Sequence, residues 1–253
     1  RGVRKIRITG GEPLVRKDIL SLFEQLGRHI GLGLDELTLT TNGTQLDLHA
    51  QALARAGVKR VNVSLDTLER SRFLEITRRD ELGRVLSGIE AAVDAGLKVK
   101  INTVGLKHQN ADEIPDIIDW AHSRGHDMSL IEVMPLGETG EDRFDQYLPL
   151  DTVRQKLEQR WTLEPEPARD PLAGPSRYFK VAETGGRLGF ITPLTNNFCA
   201  QCNRVRVTCT GRIYQCLGQN NFLDLRSAIR ESADPYQALN AALDHALRAK
   251  PER

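Results

Sequence analysis

The chain has 253 residues, of which 40% are hydrophobic and 27% charged, and its 35 Lys and Arg against 34 Asp and Glu leave a formal net charge of +1. This balance excludes a strongly basic nucleic-acid binder, an acidic solvating tail and a disordered chain, and the length suits one large domain or one core with a smaller appendage. No stretch approaches the run of about 18 apolar residues that a membrane-spanning helix needs, and no signal-peptide pattern is read in these residues, so a soluble protein is expected.

The first residues, RGVRKIRIT, lack an initiator Met and enter a strand pattern at once, which predicts a natural beginning further upstream. Apolar, β-branched runs predict strands at 6–9, 36–40, 60–64, 98–103 and 128–134. Between them lie helical patterns. Ile19, Leu22, Phe23 and Leu26 share one helical face, as do Ile114, Ile117, Ile118 and Ala121, and a helix over 82–95 stops at Gly96. Strands alternating with amphipathic helices predict βα units around a parallel sheet.

Each predicted strand runs into polar or glycine-rich residues: Gly10-Gly11-Glu12-Pro13, Thr41-Asn42-Gly43, Ser64-Leu65-Asp66, Asn102-Thr103 and Met134-Pro135-Leu136-Gly137. In a (β/α) barrel the active site is built at those ends, so five of them predict one shared mouth. The alternation breaks at 164–177, where Pro165, Pro167, Pro171 and Pro175 concentrate four of the eleven prolines. Further strands are predicted at 177–182, 188–192, 205–209 and 212–215, and a helical tail at 225–249. The expected organisation is a partial barrel over 1–163, a proline-rich connection over 164–177, and a C-terminal α+β region over 178–253.

All four cysteines fall between Cys199 and Cys216. Their clustering in a chain without a disulfide framework points to a metal or cluster site in a reducing compartment, hence to the cytoplasm. Cys199-Ala-Gln-Cys202 offers two thiols from one tight loop, which suits zinc or an iron-sulfur cluster. A closed four-Cys zinc site and unrelated buried thiols are the plainer alternatives. The surrounding charge favours a cluster: residues 184–223 contain no Asp or Glu, where overall composition would place about five, yet they hold Arg187, Arg204, Arg206 and Arg212. Arg204 and Arg206 alternate onto one strand face, where both can grip one anion. Lys100 alternates with Lys98 in LKVKIN, a pattern that fits either a solvated lysine or a ligand-facing one.

The Gly10-Gly11-Glu12-Pro13 turn lets backbone approach a ligand closely, while an ordinary βα turn reads the same way. It is neither a Walker A motif nor a dinucleotide fingerprint, since the required lysine and glycine spacings are absent.

Taken together, Arg4-Lys5-Ile6-Arg7-Ile8-Thr9-Gly10-Gly11-Glu12-Pro13-Leu14, Thr40-Thr41-Asn42-Gly43, Asn62-Val63-Ser64-Leu65-Asp66 and Phe198-Cys199-Ala-Gln-Cys202-Asn-Arg204-Val-Arg206 closely resemble the GTP 3′,8-cyclase family of molybdenum cofactor biosynthesis, radical S-adenosylmethionine (SAM) enzymes. The resemblance covers nearly the whole chain. It implies an α/β fold, an incomplete (β/α)6 TIM-like radical SAM barrel with a C-terminal α+β extension carrying a second Fe-S site. It also implies two 4Fe-4S clusters, one cleaving SAM and one on the substrate side. The implied reaction removes the hydrogen from C3′ of GTP, joins C3′ to guanine C8 and yields (8S)-3′,8-cyclo-7,8-dihydroguanosine 5′-triphosphate.

By the same resemblance Cys199, Cys202 and Cys216 would ligate the substrate-side cluster, with Cys209 a bystander. GTP would be bound by Arg7, Thr40, Lys100, Arg204, Val205 and Arg206, and SAM by Gly11, Ser64 and Met134, with Asn42 and Asn102 as additional polar contacts. On the residues alone Met134 reads as core. The implied partners are an electron donor, the downstream cyclic pyranopterin synthase step and a second copy of the chain, with no nucleic acid or membrane. The C-x3-C-x2-C motif that holds the SAM-cleaving cluster in this family would precede Arg1, and its C-terminal double glycine would follow Arg253, so these residues alone are expected to be inactive. Many members carry arginine in place of Ser129. The alternatives are another radical SAM enzyme with an auxiliary cluster, and a non-catalytic zinc- or GTP-binding module.

Overall fold

The computed structural model describes residues 2–134, 145–167, 174–195, 202–216 and 221–250. The chain divides into two compact units, Arg1–Asn196 and Asn197–Arg253.

The first unit is built on one eight-stranded sheet. Its strands are β1 (Lys5–Ile8), β2 (Glu36–Thr41), β3 (Arg60–Ser64), β4 (Lys98–Gly105), β5 (Asp127–Glu132), β6 (Leu163–Pro165), β7 (Arg177–Val181) and β8 (Arg187–Ile191). The order across the sheet is β1-β2-β3-β4-β5-β8-β7-β6. The six strands β1 to β5 and β8 run parallel, and β7 and β6 add antiparallel at one edge. Six parallel strands joined through helices fit the βα units that the alternating pattern predicts and the incomplete (β/α)6 arrangement that the resemblance implies. The helices are α1 (Ile19–Gly27), α2 (Leu46–Arg55), α3 (Arg70–Thr77), α4 (Leu82–Asp94), α5 (Ile114–Ser123) and α6 (Leu150–Leu157).

The proline-rich stretch does not coincide with the division of the chain. Pro165 closes β6, and β6 to β8 extend the first unit's sheet, so the chain divides at Asn196 rather than within 164–177. Proline is accommodated there because β6 is an edge strand. Met134 lies two residues beyond β5, so the predicted strand over 128–134 overruns its end.

The two faces of this sheet differ in chemistry. One face carries Leu37, Leu39, Val61, Val63, Val99, Ile101, Met128, Leu130, Leu188 and Phe190, all buried in one cluster with Phe23, Leu46, Ile89 and Ile117 from the helices. Burying each such side chain contributes roughly 2 kcal/mol, so the helix-facing side dominates the unit's stability. Period-two alternation places Arg7, Thr38, Thr40, Asn62, Ser64, Lys100, Asn102 and Ser129 on the opposite, inner face. A barrel interior filled for packing would present branched apolar residues there. This one presents hydroxyls, amides and cations.

The second unit has three antiparallel strands, β9 (Arg206–Val207), β10 (Arg212–Tyr214) and β11 (Phe222–Asp224), in the order β11-β10-β9. Two helices follow, α7 (Leu225–Arg230) and α8 (Pro235–Arg248). A small cluster of Ile213, Leu225 and Ala246, packed with Leu223, Leu239 and Leu243, holds them together. The predicted helical tail over 225–249 is formed by two helices. Asp234 accepts a hydrogen bond from the Gln237 N–H at 3.0 Å and Pro235 takes the first helical position, so a new helix begins where the pattern looked continuous.

Asp66, just past β3, accepts the Val104 N–H at 2.7 Å. Burial pushes its carboxyl up to about 6, and the Val104 hydrogen bond offsets this only in part. A carboxyl raised on folding stabilises the fold below its unfolded pKa, and that contribution is lost as pH rises through about 6. The shift corresponds to about 3 kcal/mol. Asp66→Asn keeps an acceptor without the charge. It is expected to be more stable than the parent above about pH 7 by up to that amount and equal to it near pH 4, as read from urea midpoints. Parallel pH profiles for the two proteins would rule this out.

Candidate active site

The sheet register sorts the candidate residues of the first unit into two rows. Thr40, Asn62 and Lys100 lie opposite one another across β2, β3 and β4. Ser64, Asn102 and Ser129 form a second row across β3, β4 and β5, two residues closer to the C-terminal ends of the strands. Two residues of extended chain separate the rows by about 6–7 Å. Of the residues implied for GTP, Thr40 and Lys100 share the deeper row and Arg7 on β1 pairs with Thr38; of those implied for SAM, Ser64 stands in the outer row beside Asn102, while Gly11 and Met134 lie past the ends of β1 and β5.

In the deeper row, Lys100 is only 6% exposed. Its Nζ donates to the Tyr178 hydroxyl at 2.6 Å, and among the described residues it has no carboxylate partner. Burial holds this ammonium below the usual lysine range, opposed by Tyr178 and reinforced by the charges of Arg60 and Arg7. The Thr40 hydroxyl is partly buried and lies 3.4 Å from the Asn62 amide nitrogen, a donor that also reaches the Leu39 carbonyl. Arg7 is exposed on β1, with Thr38 opposite it.

In the outer row, Ser64 is exposed, and Asn102 Oδ1 is buried without a hydrogen-bond partner among the described residues. A buried acceptor left open in this way fits a ligand with donor groups. Gly10 has φ +118°, a conformation that L side chains rarely adopt, and a Cβ placed on Gly11 would meet nothing within 4 Å. The Gly-Gly turn therefore presents open backbone past the C-terminal end of β1, which fits the polar methionine end of SAM. Met134 is partly buried past the end of β5.

Two glutamates that the sequence reading left without roles hold the rim. Glu12 accepts hydrogen bonds from the Leu14 N–H at 3.0 Å, the Thr41 hydroxyl at 2.8 Å and the Asn42 N–H at 2.6 Å, tying the turn after β1 to the end of β2. Glu132, buried at the end of β5, accepts from the backbone N–H groups of Leu150, Leu194 and Thr195 and from the Thr195 hydroxyl. Asn42 turns its own oxygen onto Thr44, as an Asx turn, so the structure gives that oxygen a local role.

In the second unit, the β9-β10 hairpin explains the cysteine spacing. Tyr214 pairs with Arg206, so the chain beyond them brings the segment at Cys216 alongside that at Cys202. Cys209 sits in the tip of the hairpin, at its far end, and is exposed. Lys250 bridges the two cysteine segments: its Nζ donates to the Arg204 carbonyl at 2.7 Å and the Gln215 carbonyl at 3.1 Å, and lies 3.9 Å from Cys202 Sγ. Burial would raise the Cys202 thiol, but the Arg204 N–H and guanidinium, aided by Lys250, outweigh it and hold the thiol below its ordinary range. Half-buried Arg206 is lowered by burial and by Arg204, while Cys202 and Cys216 both oppose that shift by their charge. The Cys202 thiol, disposed toward thiolate, with Cys216 on the facing segment and two arginines and a lysine nearby, suits an iron-sulfur cluster. Cys199 lies outside the described residues. Val205 packs against the small apolar cluster, which leaves Arg204 and Arg206 as the segment's polar groups.

A parallel (β/α) sheet with a polar inner face and a glycine-rich first strand end is the framework of a radical SAM protein. Residues 1–121 match the radical SAM superfamily, and residues 126–253 match the family described as Molybdenum Cofactor Synthesis C. Among solved structures, the crystal structure of Streptococcus suis SuiB bound to S-adenosylmethionine superposes with a TM-score of 0.57 at 19% identity, over 87% of this chain and 52% of that one. It shares the fold, and the chain spans about half its length. The chain is 64% identical over 253 residues to a GTP 3′,8-cyclase of Erythrobacter litoralis, covering 100% of the chain and 75% of that protein. It is 58% identical over 253 residues to one of Rhizobium meliloti, covering 72% of that protein. The chain belongs to the GTP 3′,8-cyclase family.

Proposed function

We propose that the chain serves molybdenum cofactor biosynthesis as a GTP 3′,8-cyclase, converting GTP to (8S)-3′,8-cyclo-7,8-dihydroguanosine 5′-triphosphate. Supporting this most directly is 64% identity to a protein of that activity along the whole chain. The polar inner face supplies residues of the right chemistry.

In this reading Gly11, Ser64 and Met134 hold SAM, and the open Asn102 Oδ1 accepts a hydrogen bond from it. Arg7, Thr40, Lys100, Arg204, Val205 and Arg206 are assigned to GTP by the family resemblance. Buried cations offset phosphate charge more strongly than exposed ones, because water screens them less. Cys199, Cys202 and Cys216 hold a 4Fe-4S cluster on the substrate side, a second such cluster being the one that cleaves SAM. When bound, SAM and the clusters would supply the radical chemistry. The chain's own residues bind, orient and exclude water. An electron donor, the cyclic pyranopterin synthase step that consumes the product, a second copy of the chain and a cytoplasmic setting complete the proposal. The reducing conditions that thiolate ligands require support the last of these. Among the described residues no helix is long and apolar enough to cross a membrane.

Anaerobic incubation of the reconstituted full-length protein with SAM, a strong reductant and GTP deuterated at C3′ tests the reaction. Deuterium should appear in 5′-deoxyadenosine as the cyclised nucleotide accumulates. Formation of 5′-deoxyadenosine without label would assign the chain to a different substrate.

A further inference from the structure

The inner face contains a cluster of hydroxyls beside the buried lysine. Tyr178 on β7 lies opposite Gly189 on β8, which in turn lies opposite Ser129 on β5. The Tyr178 hydroxyl accepts from Lys100 Nζ at 2.6 Å, and Ser176 and Ser129 hydrogen-bond with the same phenol. The two serine hydroxyls are themselves 3.1 Å apart. Gly189 makes the room: a Cβ there would fall 2.1 Å from Ser176 Oγ, 2.6 Å from Ser129 Oγ and 2.9 Å from Tyr178 Cε1. On its ring face Tyr178 is packed by the Arg187 guanidinium at 4.3 Å, which is anchored by Glu166 at 2.6 Å and Asp127 at 3.4 Å.

A buried cation is ordinarily paired with a carboxylate, because leaving it without a counter-charge costs several kcal/mol. Around Lys100 the described residues supply the Tyr178 hydroxyl instead, and two further cations, Arg7 and Arg60, lie close enough to disfavour its charge. A carboxylate in place of Tyr178 would hold the ammonium as firmly, yet it would neutralise it and repel a phosphate. A phenol fixes the geometry and leaves the charge unspent. Its ring is itself immobilised by Arg187, so the hydroxyl is presented from a rigid support.

We propose that Tyr178, supported by Ser129, Ser176 and the gap at Gly189, is a positioning residue that fixes the Lys100 ammonium for a polyphosphate anion without neutralising it. This rests on the reading that Lys100 binds GTP. The network also sets specificity for the phosphate chain over the nucleoside, since it acts only through the lysine. Neither serine touches the anion, and each acts by orienting the phenol.

Equilibrium binding of GTP and of guanosine to the reconstituted enzyme, for Lys100→Met, Tyr178→Phe and the double variant, tests the inference. Phenylalanine keeps the ring under Arg187, and thermal melting checks that each variant folds. Lys100→Met and Tyr178→Phe should each weaken GTP by about tenfold or more while leaving guanosine within about twofold. The double variant should be no weaker than Lys100→Met alone, because the phenol has nothing to position once the ammonium is gone. Unchanged GTP affinity in Lys100→Met would defeat the underlying assignment of Lys100. A loss in Lys100→Met with none in Tyr178→Phe, or with additive losses in the double variant, would defeat the role given to Tyr178 while leaving Lys100 in place. Ser176→Ala offers the same test more mildly, with a severalfold loss expected for GTP and none for guanosine, should the phenylalanine variant not fold.

Discussion

Replacing Cys216 with serine is expected to lower bound iron by about four atoms per chain and to cut formation of the cyclised nucleotide by at least roughly 100-fold. The hairpin register carries the expectation. Tyr214 opposite Arg206 directs the segment after β10 toward the Cys202 loop, and Lys250 ties both segments by their carbonyls. A serine hydroxyl fits the same space but lacks the soft thiolate that holds iron-sulfur clusters. Cys209→Ser provides the control, because the hairpin tip carries that residue away from the other two and leaves it exposed. Iron and acid-labile sulfide are counted after anaerobic reconstitution. Retention of the full complement by Cys216→Ser, with loss in Cys209→Ser, would reverse the ligand assignment, and one zinc without labile sulfide in the native protein would replace the cluster by a closed metal site.

The second large effect is expected at Glu12. Its carboxylate gathers three donors from two loops, and a single substitution cannot satisfy all of them. In Glu12→Gln one carboxylate oxygen becomes an NH2 group. Whichever way the amide turns, it then faces the Asn42 N–H on one side, or the Leu14 N–H and Thr41 hydroxyl on the other. Hydrogen bonds to a charged acceptor are worth about 1.5–3 kcal/mol each, and a buried donor left unpaired adds its own cost. The Gly10-Gly11 turn would then come away from the end of β2. SAM affinity, measured by equilibrium dialysis, should fall by about tenfold or more, while GTP binding, proposed above to use Thr40 and Lys100 of the deeper row, changes little. Equal losses for the two ligands would indicate general unfolding of the strand ends instead.

The parallel core of the sheet was legible from sequence because burial on one face and polarity on the other impose a regular alternation. β3 falls at the positions that its apolar run marks, and β1, β2 and β4 lie within one or two residues of theirs. The strand-end motifs were legible for the same reason, and Gly11 and Ser64 stand at the rim as the pattern implied. Other features depend on distant partners. β6 is three residues long, ends in proline and exists through pairing with β7, so local preference pointed to a connection instead. Lys100 and Tyr178 are 78 residues apart, and neither residue type in its own segment signals the other. The signal for the break between α7 and α8 was present in Asp234-Pro235, a capping residue followed by a first-turn proline, within an otherwise continuous apolar rhythm.

The contrast between the two faces of the main sheet also bears on how such a protein diversifies. Residues that hold the fold and residues proposed to meet the ligand alternate along the same strands yet hardly overlap in role. Under the proposed assignment, a change from Thr40 to a bulkier polar side chain would alter what the inner face accepts while Leu39 and Val63 go on packing against the helices. Selection can therefore revise the substrate by substitutions at every second position, with the hydrophobic register that closes the sheet left as it was. In this architecture, recognition and foldability are separable heritable traits written in alternate letters of one short strand.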